Sequence, residues 1–263
     1  MRRAWAQQGE SLWRRAPRER AGRAGAGGGP ALLGALALGL AALAALGQTP
    51  EGTTMPSETE RAQGWRALFD GETLAGWRAL DAETPPAGWR AAEGELVRES
   101  SGGDLLTVEQ FDDFELRLEW RIAPGGNSGV LFRVLPEHGE AWETGPEFQV
   151  LDNASHPDGR NPLTSAGANY ALHAPLRDAT RPPGQWNDVR LVVDGAHVEH
   201  WLNGEKVVEY ELWSEDWEAR VAASKFASLP HYGRARRGHI ALQDHGDLVA
   251  YRNIMIRPLT RTP

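Results

Sequence analysis

Two pairs of polar side chains stand at the spacing that places them on one face of a β-strand. In the segment HIALQDHG, Gln243 and His245 are two residues apart, and in GPEFQVLDN, Glu147 and Gln149 are two residues apart. Successive side chains of a strand alternate between its faces. A histidine can act as a general base near neutral pH. The pairs therefore predict either a polar ligand groove with an acid or base, or a solvent-exposed sheet face.

Other polar residues leave the same two alternatives open. In GGNSGVLFR the turn is not a phosphate loop, because neither Lys-Ser/Thr nor a helix follows it. Arg133 shares a strand face with Leu131, which makes it either a solvated charge or a donor in a site. In VEHWLNGEKV both faces are mixed, so His200 and Trp201 are candidates for the core as well as for ligand contacts.

No resident cofactor or metal is predicted. The chain has no cysteine, which excludes thiolate ligands and cysteine nucleophiles. His245 with Asp244 and Asp247 offers ligands of the type that hard or borderline cations accept, but their spacing matches no known metal motif. A divalent cation is the alternative to a purely side-chain site.

The elements that must position these residues are strands. FELRLEWRI (114–122) alternates apolar and charged residues, as expected for a half-buried antiparallel strand. Asp194-Gly195 and Asn203-Gly204 are hairpin turn signals. One helix is predicted within 214–226, with Ser214 as its N-cap. Short strands at regular spacing indicate an all-β sandwich or jelly roll, formed by one domain over residues 63–260.

The N-terminal region differs in composition from this domain. An arginine-rich segment, an apolar run ALLGALALGLAALAAL and small residues near Gly47 are typical of a secretory signal peptide, here residues 1–47. An uncleaved anchor is the alternative, although the apolar run is short for a membrane span. Residues 48–62 are predicted as a linker. We therefore expect a secreted or periplasmic protein with no stable membrane span after cleavage.

The charge balance excludes one class of partner. The chain holds 28 basic and 36 acidic residues, and seven of the arginines lie in the predicted leader. The mature chain is therefore strongly acidic, whereas nucleic-acid binding requires a basic surface. No nucleic-acid partner is predicted, and the oligomeric state is left open.

Six segments, in this order, resemble the 3-keto-disaccharide hydrolase domain family. They are GWRALFDGETLAGW, GGNSGVLFR, GPEFQVLDN, GQWNDVRLVVDGAHVEHWLNGEKV, IALQDHG and YRNIMIRPL. The resemblance spans about residues 64–259 and implies a concanavalin-A-like β-sandwich (jelly roll) with a concave ligand face. It implies an exported enzyme that acts on 3-keto-glycosides. Tyr251 stands where the family commonly has phenylalanine, which keeps the aromatic ring.

The implied substrate suggests an elimination. A C3 ketone acidifies the C2 hydrogen, so a base can form an enediolate that expels the C1 oxygen, and water then adds to the product. This chemistry requires a base, an oxyanion stabiliser and an acid. We predict Glu147 or His245 as base or acid and Arg133 as the stabiliser. Predicted substrate contacts are Asn127, Gln149, Tyr170, His200, Trp201, Lys225 and Gln243. Lys225 is also a candidate for neutralising the enolate, with a solvated surface position as the alternative.

Three alternatives compete with this reading. Direct hydrolysis by a carboxylate pair would need a second carboxylate at a matching strand position, and the sequence offers none to accompany Glu147. A non-catalytic sugar-binding module or a structural domain would be built on the same type of fold. Convergent ionisable groups in one groove would favour an enzyme over a binding module or a structural domain.

Overall fold

The computed structural model describes residues 55–259. Over this range the strands are β1 Arg66–Ala67, β2 Trp77–Ala79, β3 Trp89–Ala92, β4 Glu95–Arg98, β5 Leu105–Phe111, β6 Phe114–Ile122, β7 Asn127–Val134, β8 Glu147–Leu151, β9 Asn187–Asp194, β10 His197–Leu202, β11 Glu205–Glu211, β12 Gly238–Leu242 and β13 Val249–Pro258. The α-helices are α1 Glu58–Ala62, α2 Ala141–Thr144 and α3 Glu215–Ala222. Short 3-10 helices cover Pro136–His138, Pro157–Arg160 and Pro162–Thr164.

The strands form two antiparallel sheets. The larger has the order β11-β10-β9-β6-β13-β4-β3, with β1 also paired to β13, and the smaller has the order β2-β5-β12-β7-β8. Neighbours in sequence are often not neighbours in the sheet, so the chain crosses repeatedly between the two layers. The prediction of an all-β sandwich is confirmed.

Strand β6 shows why the two sheets pack face to face. Its alternate residues Phe114, Leu116, Leu118, Trp120 and Ile122 are all buried in the main core. Fully burying an aliphatic or aromatic side chain of this kind contributes roughly 1.5–3 kcal/mol. A slip of one residue would move all five to the wrong face, so the hydrophobic pattern fixes the register of the strand.

The turns and the helix follow their local sequence signals. Asn203 and Gly204 connect β10 to β11 with φ values of 52° and 82°, which is the left-handed pair that a tight hairpin requires. Ser214 caps α3, since its side chain accepts a hydrogen bond from the Trp217 amide at 3.2 Å. Both predictions are confirmed.

The outer face of the five-stranded sheet has an apolar part and a polar part. Its apolar part is a small buried cluster of Leu106, Leu131, Val134, Ala141 and Ala241, in which Ala141 belongs to α2. Helix α2 therefore covers one end of this face. The polar residues at the other end line a cavity, and the candidate site lies there.

The N-terminal predictions fall mostly outside the described residues. The predicted signal peptide lies entirely among residues 1–54. The end of the predicted linker forms α1, which has a complete capping box between Ser57 and Glu60. None of the helices within 55–259 has the length and apolar character needed to cross a bilayer.

Candidate active site

A cavity of about 180 Å³ opens on the polar part of the five-stranded sheet. Its lining residues come from β7, β8, α2, the turn between β12 and β13, and two loops. They are Asn127, Trp142, Glu147, Gln149, Tyr170, Lys225, Gln243 and His245. Seven of these eight were predicted from the sequence, and the structure brings them together.

The register of β7 and β8 places the floor residues side by side. Gly129 pairs with Gln149 and Leu131 pairs with Glu147, so both polar residues of β8 lie directly beside residues of β7. On the other side of β7, the backbone N–H of Gln243 donates to the Gly129 carbonyl at 2.9 Å. Gln243 and His245 lie just beyond the end of β12, in the turn to β13, rather than within a strand.

Glu147 is the most perturbed carboxyl of the site. Its side chain passes over Gly129, where a Cβ atom would come within 2.8 Å of Glu147 Cδ. Only 6% of the residue is exposed. Burial raises its pKa to about 8, although the nearby Lys225 ammonium acts in the opposite direction. The carboxyl is therefore protonated at neutral pH and can donate a proton.

A hydrogen-bond chain links the floor to His245. Gln149 Nε2 donates to the Thr164 carbonyl at 3.2 Å and to Asn127 Oδ1 at 3.3 Å. Because a carbonyl can only accept, this contact fixes the orientation of the Gln149 amide. Asn127 Nδ2 then faces His245 Nε2 at 3.5 Å as the donor. With Nε2 as the acceptor in this contact, the neutral His245 imidazole carries its proton on Nδ1.

Gln149 also presents an unused acceptor. Its Oε1 atom is buried and receives no hydrogen bond from any residue within 55–259. An unpaired buried polar atom costs about 1–3 kcal/mol. A donor supplied by a ligand, such as a hydroxyl group, would remove that cost.

Aromatic rings and one ammonium group form the walls. Lys225 Nζ lies 4.3 Å from the Tyr170 ring centroid and 5.3 Å from that of Trp142. Desolvation lowers the pKa of Lys225 below its ordinary value, and the negative charges of Glu147 and Asp158 oppose this shift only in part. The Tyr170 hydroxyl donates to Asp158 at 3.4 Å, and burial raises its pKa to about 12. Tyr170 is therefore a neutral hydrogen-bonding ring at neutral pH.

The turn that carries His245 is held in place by contacts of Asp244 and Asp104. Asp244 forms an ion pair with Arg98 at 2.6 Å, and both side chains are almost fully buried. Its Oδ2 atom also accepts the amides of Gly102 and Gly103 at 2.8 and 3.0 Å. In return, Asp104 accepts the Asp244 amide at 2.8 Å. The two acidic residues lock the turn against the start of β5.

Comparisons with known proteins agree with this architecture. A sequence model described as the 3-keto-alpha-glucoside-1,2-lyase-like domain matches residues 64–257. The chain belongs to this family. A relative from Bacteroides thetaiotaomicron, named 3-keto-disaccharide hydrolase, is 32% identical over 230 residues, which cover 75% of this chain and 79% of the relative.

Solved structures give the same fold for the 3-keto-alpha-glucoside-1,2-lyase-like domain. A proposed glycosyl hydrolase from Parabacteroides distasonis is 32% identical and has a TM-score of 0.74, covering 79% of this chain and all of the other. A second one from the same organism is 27% identical with a TM-score of 0.59, covering 74% of this chain and 99% of the other.

The structure places Arg133 away from the cavity, so its predicted role as oxyanion stabiliser is corrected. In β7, three residue steps from Leu131 to Val134 face two steps of β12, which identifies a β-bulge. Arg133 has a φ of 54° and leaves the outer face at this bulge. Its guanidinium donates to the Gly195 and Asp112 carbonyls at 3.0 and 3.1 Å and pairs with Asp113. It has a structural position.

His200 and Trp201 also lie outside the cavity, so their predicted substrate contacts are corrected. His200 faces the main core, where its Nδ1 atom is 3.0 Å from the Gly167 carbonyl, and burial lowers its pKa to about 4. Trp201 lies on the outer face of the eight-stranded sheet, beneath the Arg190 guanidinium at 4.9 Å. Because both faces of β10 mix apolar and polar residues, the sequence could not identify its buried face. In the structure, the face that carries His200 is buried.

Two residues of interest escaped the sequence-based prediction. Trp142 lies on a four-residue helix that has no visible amphipathic signal. Asp104 precedes β5, and burial raises its pKa to about 6. Its negative charge raises the pKa of Glu147, so the two carboxyls are electrostatically coupled. Strand registers across β5, β12, β7 and β8 bring them to one region, and these registers cannot be read from local sequence.

The two acidic residues of the turn that could bind a cation form contacts with other protein groups. Asp244 is paired with Arg98, and Asp247 Oδ2 accepts a hydrogen bond from the backbone N–H of Asn127 at 3.0 Å. Among residues 55–259, one group of three ligating side chains lies within metal-binding distance. It consists of His197, Glu199 and Glu209 on β10 and β11, outside the cavity.

Proposed function

We propose that this protein cleaves 3-keto-glycosides, including disaccharides, by removal of the C2 proton, elimination of the C1 substituent and hydration of the product. The observation that carries this proposal is the pairing, in one cavity, of the neutral Glu147 carboxyl with the Lys225 ammonium. The names of the family and of the curated relative support a glycoside-cleaving activity on keto sugars.

The roles follow from the positions of the lining residues and from the neutral Glu147 carboxyl. The substrate replaces Asn127 at His245 Nε2, this nitrogen removes the C2 proton, and the electron pair moves onto the C3 carbonyl oxygen. The Lys225 ammonium stabilises the resulting enediolate and takes the role that the sequence had suggested for Arg133. Collapse of the enediolate breaks the C1–oxygen bond, and Glu147 gives its proton to the leaving oxygen. Water then adds across the C1–C2 double bond, so the net reaction is hydrolysis.

The remaining polar residues orient the sugar. Gln149 Oε1 is a free acceptor for a hydroxyl group, and Gln243 stands beside it across β7. Asn127 contacts the His245 imidazole in the free protein, through Nδ2 and Nε2 at 3.5 Å, and contacts the substrate when it is bound. Tyr170 offers a ring face and a hydroxyl group at the wall. Direct displacement by two carboxylates is not favoured, since Asp104 is outside the cavity lining.

The test uses a 3-keto-glucoside and its C2-deuterated form. Elimination predicts glucoside loss, a transient enone absorbance, a primary isotope effect on kcat and no cleavage of the unoxidised glucoside. Turnover without an isotope effect, and without exchange of the C2 hydrogen with solvent, would contradict the elimination. Binding without turnover would instead identify a carbohydrate-binding module. Activity should survive EDTA treatment, because Lys225 provides the positive charge at the oxyanion.

The acid role of Glu147 has its own signature. The pH profile of kcat/KM reports the pKa of groups in the free enzyme. If Glu147 must be protonated, kcat/KM falls as the pH rises through about 8. A profile that instead rises through this region would exchange the roles of Glu147 and His245.

We also propose that the protein is exported and that residues 1–47 are its signal peptide. The arginine-rich start and the apolar run of the sequence support this. N-terminal sequencing of the protein recovered from the producing cell should begin near Gln48. Recovery of the intact N-terminus in a membrane fraction would identify an anchor instead.

A further inference from the structure

One large aromatic side chain of the cavity lining is partly exposed to solvent. Trp142 lines the cavity and is 37% exposed, whereas other tryptophans such as Trp77, Trp120 and Trp217 are fully buried. Tryptophan combines a wide apolar face with little conformational freedom, which suits it to stack on a flat or sugar-like ligand. Its exposure therefore requires an explanation.

The exposure is not a consequence of a loose segment. Helix α2, which carries Trp142, is held to the sheet by Ala141, a fully buried member of the apolar cluster. Thr144 fixes its other end, because Thr144 Oγ1 accepts the Leu135 amide at 3.0 Å and its carbonyl accepts the Gly233 amide at 2.8 Å. The ring is thus presented outward by a short helix with buried contacts at both ends.

Lys225 contacts both this ring and the ring of Tyr170. Its ammonium nitrogen lies 4.3 Å from the Tyr170 ring centroid and 5.3 Å from the Trp142 ring centroid. Tyr170 is tied to Asp158 by its hydroxyl group, so it belongs to the inner wall. Trp142 contacts the same ammonium group and is the more exposed of the two rings, so it belongs to the outer part of the cavity lining.

The size of the cavity requires a second region for any larger ligand. Its volume of about 180 Å³ is below the ~300–1,000 Å³ range of sites that enclose drug-sized ligands. One sugar ring accounts for the enclosed space beside Glu147 and Gln149. The other half of a disaccharide then extends out of the cavity, and Trp142 is the exposed aromatic ring of the lining that it can contact.

We propose that Trp142 forms a separate subsite that binds the leaving group by stacking, and that it selects for a sugar ring or another flat-faced aglycone. This inference rests on the proposed function for its assignment of the inner position to the reacting ring. Trp142 takes no part in proton transfer. It therefore acts on the affinity for the substrate and not on the chemical step.

The test compares Trp142→Ala with wild type on two 3-keto-glucosides that share the reacting ring. One carries a second sugar and the other carries a methyl group as the leaving group. We expect Trp142→Ala to raise KM for the disaccharide about tenfold, with kcat within a factor of about two, and to leave the methyl glycoside unchanged, in line with the size of an aromatic stacking contact. Trp142→Phe should keep most of the affinity. Equal effects on both substrates, or no effect on either, would overturn the proposal.

A binding measurement separates this inference from the proposed chemistry. Titration calorimetry with the unreactive, unoxidised disaccharide and methyl glucoside requires no turnover. Selective loss of disaccharide binding in Trp142→Ala supports the subsite even if wild type cleaves no 3-keto-glucoside, and unchanged disaccharide binding overturns it. Because the ring is partly exposed, the Tm of the variant should stay close to that of wild type.

Discussion

The carboxyl group of Glu147 lies over the α-carbon of Gly129 on the neighbouring strand, in space that a side chain would otherwise occupy. A Cβ atom at position 129 would stand 2.8 Å from Glu147 Cδ and 2.9 Å from its Cγ. The glycine therefore gives the buried carboxyl its place on the floor of the cavity. The two residues are 18 positions apart in sequence and meet only through the pairing of β7 with β8.

Replacement of Gly129 by alanine should displace the Glu147 carboxyl. We expect Gly129→Ala to lower kcat on a 3-keto-glucoside at least tenfold, because a carboxyl moved by about 1 Å loses its alignment with the leaving oxygen. The same substitution in a Glu147→Gln background should cost no further activity, which a double-mutant cycle measures. Additive losses would show that Gly129 acts by another route.

Burial of Glu147 should make the stability of the protein depend on pH. Its pKa is about 8 in the folded protein against an ordinary 4.5, so between these values the folded state holds a proton that the unfolded state has released. The free energy of unfolding must then fall as the pH rises from 4.5 to 8. Each tenfold difference in proton affinity is worth about 1.4 kcal/mol.

The neutral variant isolates this effect. Glu147→Gln should have a Tm above that of wild type at pH 8 and close to it near pH 4.5, by differential scanning calorimetry. Glu109→Gln, which changes an exposed carboxyl, should show no such trend. A constant difference between Glu147→Gln and wild type at all pH values would contradict the raised pKa.

Lys225 can be tested against the other lysine of the chain. Lys225→Met removes the cation proposed at the oxyanion, and we expect kcat to fall by about two orders of magnitude, as on loss of one oxyanion-hole donor. Because Lys225 lowers the pKa of Glu147, the alkaline limb of residual kcat/KM should move to higher pH. Lys206→Met is the matched control, since Lys206 pairs with Glu199 on the opposite sheet. Equal activities of the two variants would exclude the role of Lys225.

The contacts that hold the His245 turn in place should be important for stability and for activity. Asp244→Ala leaves the buried Arg98 guanidinium without its carboxylate, which costs about 3–5 kcal/mol. Urea denaturation should show this loss, whereas Glu109→Gln in the exposed Arg66–Glu109 pair should cost under about 1 kcal/mol. Activity should also fall at temperatures where Asp244→Ala is fully folded, because Gln243 and His245 lose their support. Full activity of the folded variant would refute the positioning role.

The family and the all-β class could be predicted from the sequence because their signals are local. Alternation in 114–122 fixed the buried face of β6, and Asn203-Gly204 fixed a hairpin. The period-two pair Glu147 and Gln149 predicted one polar face of β8, which is a regular strand. For Gln243 and His245, which lie in the turn beyond β12, the family resemblance rather than strand periodicity indicated a place in the groove.

The rest was decided by tertiary structure. Alternation fails for Arg133, because one extra residue in β7 turns its side chain toward Asp113. The alternation of β10 could not choose a face for His200, and the choice depends on which side meets the other sheet. Trp142 and Asp104 reach the site through α2 and through sheet registers between distant strands. Local sequence determines which side chains can share a face, whereas bulges, long-range pairing and desolvation determine which of them meet and how strongly each holds its proton.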